Sequence, residues 1–239
     1  MVTGANRGIG LEITRQLAGK GVRVVLSGRD RTAVTEAAAG LRSTGLDVEG
    51  LQLDVTDSRS IATAAAELDT RYGRLDILVN NAAVRIEEYG KQPSEQSLPE
   101  WRETFDTNVF GLVEVTLAFL PMIRRSPAGR IVNVSSLLAS LTLHSDPGSY
   151  TYSPTFKSLP AYSATKGAVN SWTVHLAYEL RDTPIKVNSA HPGYTRTGMN
   201  EGAGDLEPPA GAATSVSLAL LDDHGPTGSY VHAGEVLPW

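Results

Sequence analysis

Tyr162 and Lys166 lie four residues apart in the run Ala161-Tyr162-Ser163-Ala164-Thr165-Lys166. On a helix that spacing sets both side chains on one face, one turn apart. A phenol is a poor acid at neutral pH, with a pKa of about 10. A neighbouring ammonium favours the phenolate and lowers that value. The pair could therefore pass a proton to or from a reacting oxygen. By itself it is weak evidence, because tyrosine and lysine also meet at this spacing on ordinary solvated helix faces.

A second group stands near the start of the chain. Thr3-Gly4-Ala5-Asn6-Arg7-Gly8-Ile9-Gly10 precedes a helical pattern running from Leu11 to Ala18. Glycines permit positive φ and close backbone approach. Free N–H groups at a helix start bind pyrophosphate. The spacing G-x-x-x-G-x-G is more restricted than G-x-G-x-x-G. The bland alternative is a glycine-rich turn that holds no ligand.

Both groups need a scaffold. Short apolar runs at 22–27, 46–53, 75–80, 130–135 and 185–190 read as strands. Helical patterns lie between them at 8–19, 30–43, 58–72, 99–123, 161–182 and 209–222. Strands alternating with helices imply crossover units and a parallel sheet. Strands rich in Val, Ile and Leu suit burial on both faces. The expected fold is therefore a single α/β domain, a doubly wound parallel sheet with helices on both faces. Two stretches read as loops, 137–160 and 194–208, and both follow strands. Open α/β sheets bind ligands at the carboxyl ends of their strands. Only Met1-Val2-Thr3 precede the glycine loop, so the first strand is either unusually short or truncated.

Composition narrows the partners. The 239 residues are 41% hydrophobic and 20% charged, as in an ordinary globular protein. A net charge of -5 and the lack of a Lys/Arg cluster argue against nucleic acid. Cysteine is absent, which excludes disulfides, thiolate metal sites and thiol nucleophiles and fits a reducing cytoplasm. No unbroken apolar run approaches the roughly 18 residues of a membrane span, and no signal peptide is expected. His144 and His191 have no second ligand at a standard spacing, so no metal is expected.

The chain resembles the short-chain dehydrogenase/reductase family. The motifs that carry this occur in the family's order: the glycine loop, Leu53-Asp54-Val55, Asn80-Asn81-Ala82-Ala83, Asn108, Ser135-Ser136, Tyr162 with Lys166, and His191-Pro192-Gly193. The resemblance implies a Rossmann-type dinucleotide fold and a catalytic group of Asn108, Ser136, Tyr162 and Lys166. Ser136 would hydrogen-bond the substrate carbonyl, with Ser135 as the fallback. Tyr162 would protonate that oxygen. Lys166 would keep the phenol acidic and hold the nicotinamide ribose. Asn108 would hold a water of the proton relay while kinking its long helix. The cofactor would lie along Gly4, Asn6, Arg7, Gly8, Ile9, Gly10, Arg29, Asp54, Val55, Asn81, Ala82, Tyr162, Lys166, Pro192, Gly193, Thr195 and Thr197. Asn80 would instead tie neighbouring strands.

NAD enzymes of this fold usually place an acid at the end of the second strand, on the ribose 2′-hydroxyl. Gly28 occupies that position, followed by Arg29, and Arg7 sits in the glycine loop. Two guanidiniums suit a 2′-phosphate. NADP(H) is therefore expected over NAD(H), unless both arginines are mere surface charges or Asp30 neutralises one.

Two departures from the family pattern stand out. Ala83 replaces a glycine, and a positive φ there would cost about 1 kcal/mol or more. Ser136 and Tyr162 are 26 positions apart, about twice the family's usual separation. Similar insertions, and the C-terminal run 228–239, resemble the carbonyl-reductase branch, whose monomeric members can cover the tetramer-packing helix face with the insertion. A monomer is expected, and Tyr150, Tyr152, Phe156 and Leu159 are candidates to wall an apolar substrate pocket. The implied activity is NADPH-dependent oxidoreduction, with hydride passing between the nicotinamide cofactor and a small-molecule ketone or aldehyde or the corresponding alcohol. A non-catalytic NADP-binding sensor or scaffold is the alternative, although such proteins typically lose the tyrosine or the lysine.

Overall fold

Strands and helices alternate through the computed structural model, which describes residues 1–239. The first half runs α1 (Gly8–Gly19), β1 (Val24–Gly28), α2 (Arg31–Ser43), β2 (Val48–Gln52), α3 (Ser58–Tyr72) and β3 (Ile77–Asn80). The second half begins with α4 (Leu98–Phe105), a π-helical turn (Asp106–Gly111), α5 (Leu112–Ile123) and β4 (Arg130–Val134). It continues with α6 (Leu141–Ser145), α7 (Pro154–Lys157), α8 (Pro160–Glu179), β5 (Lys186–Ala190), α9 (Pro208–Ala219), β6 (Tyr230–His232) and β7 (Glu235–Val236).

β1 pairs parallel with β2, and β3, β4, β5 and β6 pair parallel in that order. β7 returns antiparallel on β6. Val2 joins the two halves through parallel bridges to Leu26 and Val79. Its N–H donates to the Val25 carbonyl at 2.9 Å, and the Thr3 N–H to the Val79 carbonyl at 3.0 Å. Residues 1–3 thus fill the centre of the sheet. All these strands run parallel, but the order of addition reverses about residues 1–3, β1 and β2 being laid down on one side and β3 to β6 on the other, which makes this the switch point of a doubly wound fold.

Successive strand residues face opposite sides. Leu78 and Ile131 point into a core shared with α3, α5 and α8, through Ile61, Phe119 and Leu176. Val79 and Val132 point into a second core with α1, α2 and α9, through Ile13, Val34 and Val216. Each such side chain contributes about 1.5–3 kcal/mol by leaving water. The two cores hold the carboxyl ends of the strands level, and the glycine loop, Asp54, Asn81 and Ser136 all follow those ends.

Several expectations need revision. The single helix over 99–123 is interrupted by the π-helical turn, so the chain gains a residue where Asn108 turns inward. By length and composition the whole run Leu98–Ile123 could cross a membrane, but half of its apolar window is buried here. Its Val115, Phe119 and Ile123 belong to the core, as suits a core helix. The segment 137–160 is not a plain loop, because Ser140 caps α6 and Pro154 starts α7. β6 and β7 had no counterpart among the expected strands. The insertion also leaves Leu98, Phe110, Leu117, Val174 and Tyr178 exposed on α4, the π turn, α5 and α8. It packs elsewhere: the Ser140 and Thr142 hydroxyls donate to the Trp239 carbonyl. The cover that motivated the expectation of a monomer is therefore missing from these helices.

Candidate active site

A cleft of about 900 Å³ opens across the switch point, within the usual range for small-molecule and cofactor sites. Gly4, Asn6, Arg7, Gly8, Ile9, Gly10, Arg29, Asp54, Val55, Asn81, Ala82 and Thr197 all line it. Gly4 has φ +60°, and an added Cβ would come within 2.7 Å of Ala82 Cα. At Gly10 an added Cβ would lie 2.4 Å from Asn81 Nδ2. That close approach lets Asn81 Nδ2 donate to the carbonyls of Thr3 (2.9 Å) and Gly4 (3.1 Å). Asn81 therefore fixes the glycine loop as well as lining the cleft. Asn80 ties strand to helix, donating to Asn133 Oδ1 and Thr116 Oγ1, both at 2.9 Å. Ala83 carries no positive φ, so the departure from glycine brings no backbone strain.

The first turn of α1 has neither a capping side chain nor an acid, which leaves its N–H groups and the positive end of the helix dipole available to an anion. Thr197 faces Gly8 across the cleft, its methyl 3.8 Å from where a Gly8 Cβ would be. Arg7 and Arg29 are exposed at the same end and enter no ion pair, while Asp30 is occupied as the cap of α2, accepting from the Ala33 N–H at 3.0 Å. The Asp54 carboxylate closes a turn on Thr56, and only its Oδ1 is engaged there.

Past the loop, the cleft meets a smaller chamber of about 110 Å³. Ser136, Tyr162, Pro192, Gly193, Thr195 and Thr197 line it. Both serines of the pair reach the chamber wall, and the Ser136 hydroxyl caps the turn Leu137–Ala139. Ser135 is buried against the Lys166 carbonyl at 3.5 Å. Lys166 is 3% exposed and donates to the Val134 carbonyl at 2.8 Å, with its ammonium 5.6 Å from the Tyr162 ring centre. Burial pushes the Lys166 ammonium down to about 8. Burial pushes the Tyr162 phenol up to about 12, opposed by the Ser136 hydroxyl and the Arg85 charge. The expected lowering of the phenol by Lys166 is therefore not found: desolvation outweighs a cation that is itself costly to keep charged.

Asn108 is 1% exposed at the π turn. Its Oδ1 accepts from the Val84 N–H (2.8 Å), and its Nδ2 donates to the Val84 carbonyl (2.9 Å) and Thr165 Oγ1 (3.1 Å). Its side chain thus anchors the segment after β3. Thr195 does not line the larger cleft but reaches the chamber wall, with its hydroxyl on the Pro192 carbonyl at 3.0 Å. That bond shapes the Pro-Gly turn, in which Gly193 takes φ +77° with Leu206 packed against it.

The chamber walls are aromatic. Phe156 packs edge-on against both Tyr150 and Tyr194, each with ring centres 5.6 Å apart. Leu138 and Leu159 add apolar surface. Tyr152 does not join them; it is half exposed and carries Lys157 over its ring at 5.0 Å. No cluster of three metal-ligating side chains forms around His144 or His191. His191 accepts from the Leu137 N–H at 3.1 Å, and burial holds its imidazole down to about 3.

Several residues of the site carry no sequence signal. Arg85 is the only charged residue on the chamber wall. It donates to the carbonyls of Met199 (2.7 Å) and Glu87 (2.7 Å) and stacks over Tyr89 at 4.3 Å. Glu87, 1% exposed, accepts from the backbone at the start of α8. Only Tyr194, next to the Pro-Gly pair, was within reach of a motif.

Residues 1–207 match the family model described as short chain dehydrogenase. Short-chain dehydrogenase/reductase 1 of Saponaria officinalis is 34% identical, covering 100% of this chain and 95% of that protein. Carbonyl reductase [NADPH] 1 of Mus musculus is 34% identical, covering 100% and 97%. The solved structure of salutaridine reductase from Papaver somniferum superposes with a TM-score of 0.82 at 30% identity, covering 96% of this chain and 97% of that one.

Proposed function

The chain belongs to the short chain dehydrogenase family, and from that premise we propose that it is an NADPH-dependent carbonyl reductase in which Tyr162 is the proton donor. One observation carries the reading: Ser136 and Tyr162 converge on an aromatic chamber, with buried Lys166 one helical turn behind, where that chamber meets a cleft built for a dinucleotide. The glycine cradle, the uncapped start of α1 and the unpaired Arg7 and Arg29 fit NADP(H). Bound there, the cofactor supplies hydride. A mouse relative named for NADPH supports the same choice.

Ser136 and Tyr162 would bind the carbonyl oxygen together, both as donors. The high pKa of the phenol keeps it protonated, so it carries the proton that the oxygen needs as carbon is reduced. Lys166 would donate to the ribose and stabilise the phenolate left behind. The walls of Tyr150, Phe156, Tyr194 and Leu138 favour a ketone on an apolar body. The test is loss of reduced-nicotinamide absorbance against a panel of ketones and aldehydes. Turnover of an apolar ketone is the expected result; tight NADPH binding with no turnover on the panel would return the reading to a sensor.

Cofactor choice has its own test. Replacing Arg29 by Asp removes a charge-assisted contact to the 2′-phosphate and introduces repulsion. Contacts to charged groups contribute about 1.5–3 kcal/mol, so the NADPH/NADH ratio of kcat/KM should drop by about ten- to a hundredfold. An unchanged ratio would mean that Arg29 is a surface charge.

A further inference from the structure

The helix that carries Tyr162 and Lys166 has no cap of its own. Pro160, its first residue, has no N–H, and the preceding Leu159 offers no side-chain acceptor. The next two N–H groups, of Ala161 and Tyr162, both go to Glu87, to Oε1 at 2.5 Å and Oε2 at 2.9 Å. The following N–H, of Ser163, reaches the Leu159 carbonyl at 3.0 Å. Glu87 thus provides from 74 and 75 residues away what a neighbouring Ser or Asp usually provides. It is buried and pairs with no cation within ion-pair distance, so its two oxygens are held by this helix start alone among side-chain and backbone partners.

The carboxylate is itself held in place. Asn108 grips Val84 through both amide ends, and Arg85 donates to the Glu87 carbonyl and to Met199. Gln96, further along the same segment, donates to the Ser158 carbonyl at 2.8 Å, just before α8. The segment after β3 therefore grips the start of α8 at the very residue that would protonate substrate. Burial raises the Glu87 carboxyl and the two N–H bonds oppose this, as for an anion kept in place by the helix end.

We propose that Glu87 is a positioning residue for the reaction: by receiving the N–H groups of Ala161 and Tyr162, it sets where the Tyr162 hydroxyl stands relative to Ser136. This rests on Tyr162 as the proton donor. A displacement of about 1 Å at a reacting group can cost about a hundredfold in rate. Cofactor affinity should be spared, because Glu87, although it borders the cleft, has both oxygens taken by the start of α8.

The experiment compares Glu87→Ala and Glu87→Gln with Ser97→Ala, which removes the cap of α4 and touches nothing in the site. Turnover is measured per NADPH-binding site, together with NADPH affinity and Tm. Glu87→Ala should lose about a hundredfold in kcat with NADPH affinity unchanged. Glu87→Gln, which keeps one acceptor, should fall between it and the native chain. Ser97→Ala should lower Tm and leave kcat unchanged. A lowered Tm with native kcat in Glu87→Ala would reduce Glu87 to a structural cap and overturn the proposal. If the alanine variant does not fold, the glutamine variant decides by the same split. If the native chain reduces no carbonyl, the functional reading fails, and the phenolate titration of Tyr162 decides for Glu87. Loss of the anion and wider access to water should both move that titration down, with Ser136, Arg85, Tyr89 and Lys166 still facing the phenol. An unmoved titration would then overturn the proposal.

Discussion

Tyr162→Phe is expected to lower kcat by about 10²–10⁴-fold, the range for loss of a general acid, and to leave NADPH affinity intact. The substitution deletes one oxygen. The ring stays above Lys166, and the glycine loop, Arg7 and Arg29 are untouched, so binding of the dinucleotide has no reason to change. The phenol stands up at about 12 in the ligand-free chain because burial disfavours its anion. That value suits a donor in the reduction direction: it is fully protonated at neutral pH. Giving up the proton requires the anion to be stabilised during the reaction, by the Ser136 hydroxyl and by Lys166. Stopped-flow turnover with a fluorescence titration of NADPH separates the two effects. Near-native kcat would remove Tyr162 from the chemistry and leave Ser136 as a mere carbonyl ligand.

How much of this was legible in the chain depends on the range of each interaction. The glycine loop, α3 and the edges of β4 follow from local signals, namely glycine spacing, a helical pattern and apolar runs. A kink at Asn108 was implied by the resemblance, but its π form has no local signal: the partner that Asn108 holds there is Val84, 24 residues away. Helix periodicity reads the same with or without one extra residue in the turn. Glu87 is harder still: its partners are backbone N–H groups, which every residue but proline has, so no side-chain pairing betrays it. Tyr152 shows the converse limit. Its aromatic character suggested a pocket wall, but the short α7 turns Phe156 inward and leaves Tyr152 under Lys157. The influence of Lys166 on the phenol was misjudged because spacing gives proximity and not burial. Burial then decides which protonation state is favoured.

Lys166→Met is expected to damage both binding and chemistry while sparing the fold. The native ammonium is buried, bonded to the Val134 carbonyl and held down to about 8. Losing its donors to the ribose should weaken NADPH by about ten- to a hundredfold, as a charged hydrogen bond contributes about 1.5–3 kcal/mol. Losing the charge beneath the phenolate should lower kcat further, by about 10²-fold or more. Stability should respond in the other sense. Between pH 8 and the ordinary lysine value, the unfolded chain holds a proton that the folded chain has released, so native stability rises with pH through that window. Below it the full cost of burying the ammonium applies, about 3 kcal/mol for a depression of this size. Methionine has no such cost, although it leaves the Val134 carbonyl without its donor, a loss of about 1–3 kcal/mol. The variant should therefore be about as stable as the native chain at pH 7 and progressively less stable relative to it as pH rises through 8 to 10. Tm measured across that range, without cofactor, reads the effect directly. A Tm difference that does not change with pH would mean that Lys166 is not held low in the ligand-free chain. The stability cost of this lysine would then disappear as a trade against its two functions.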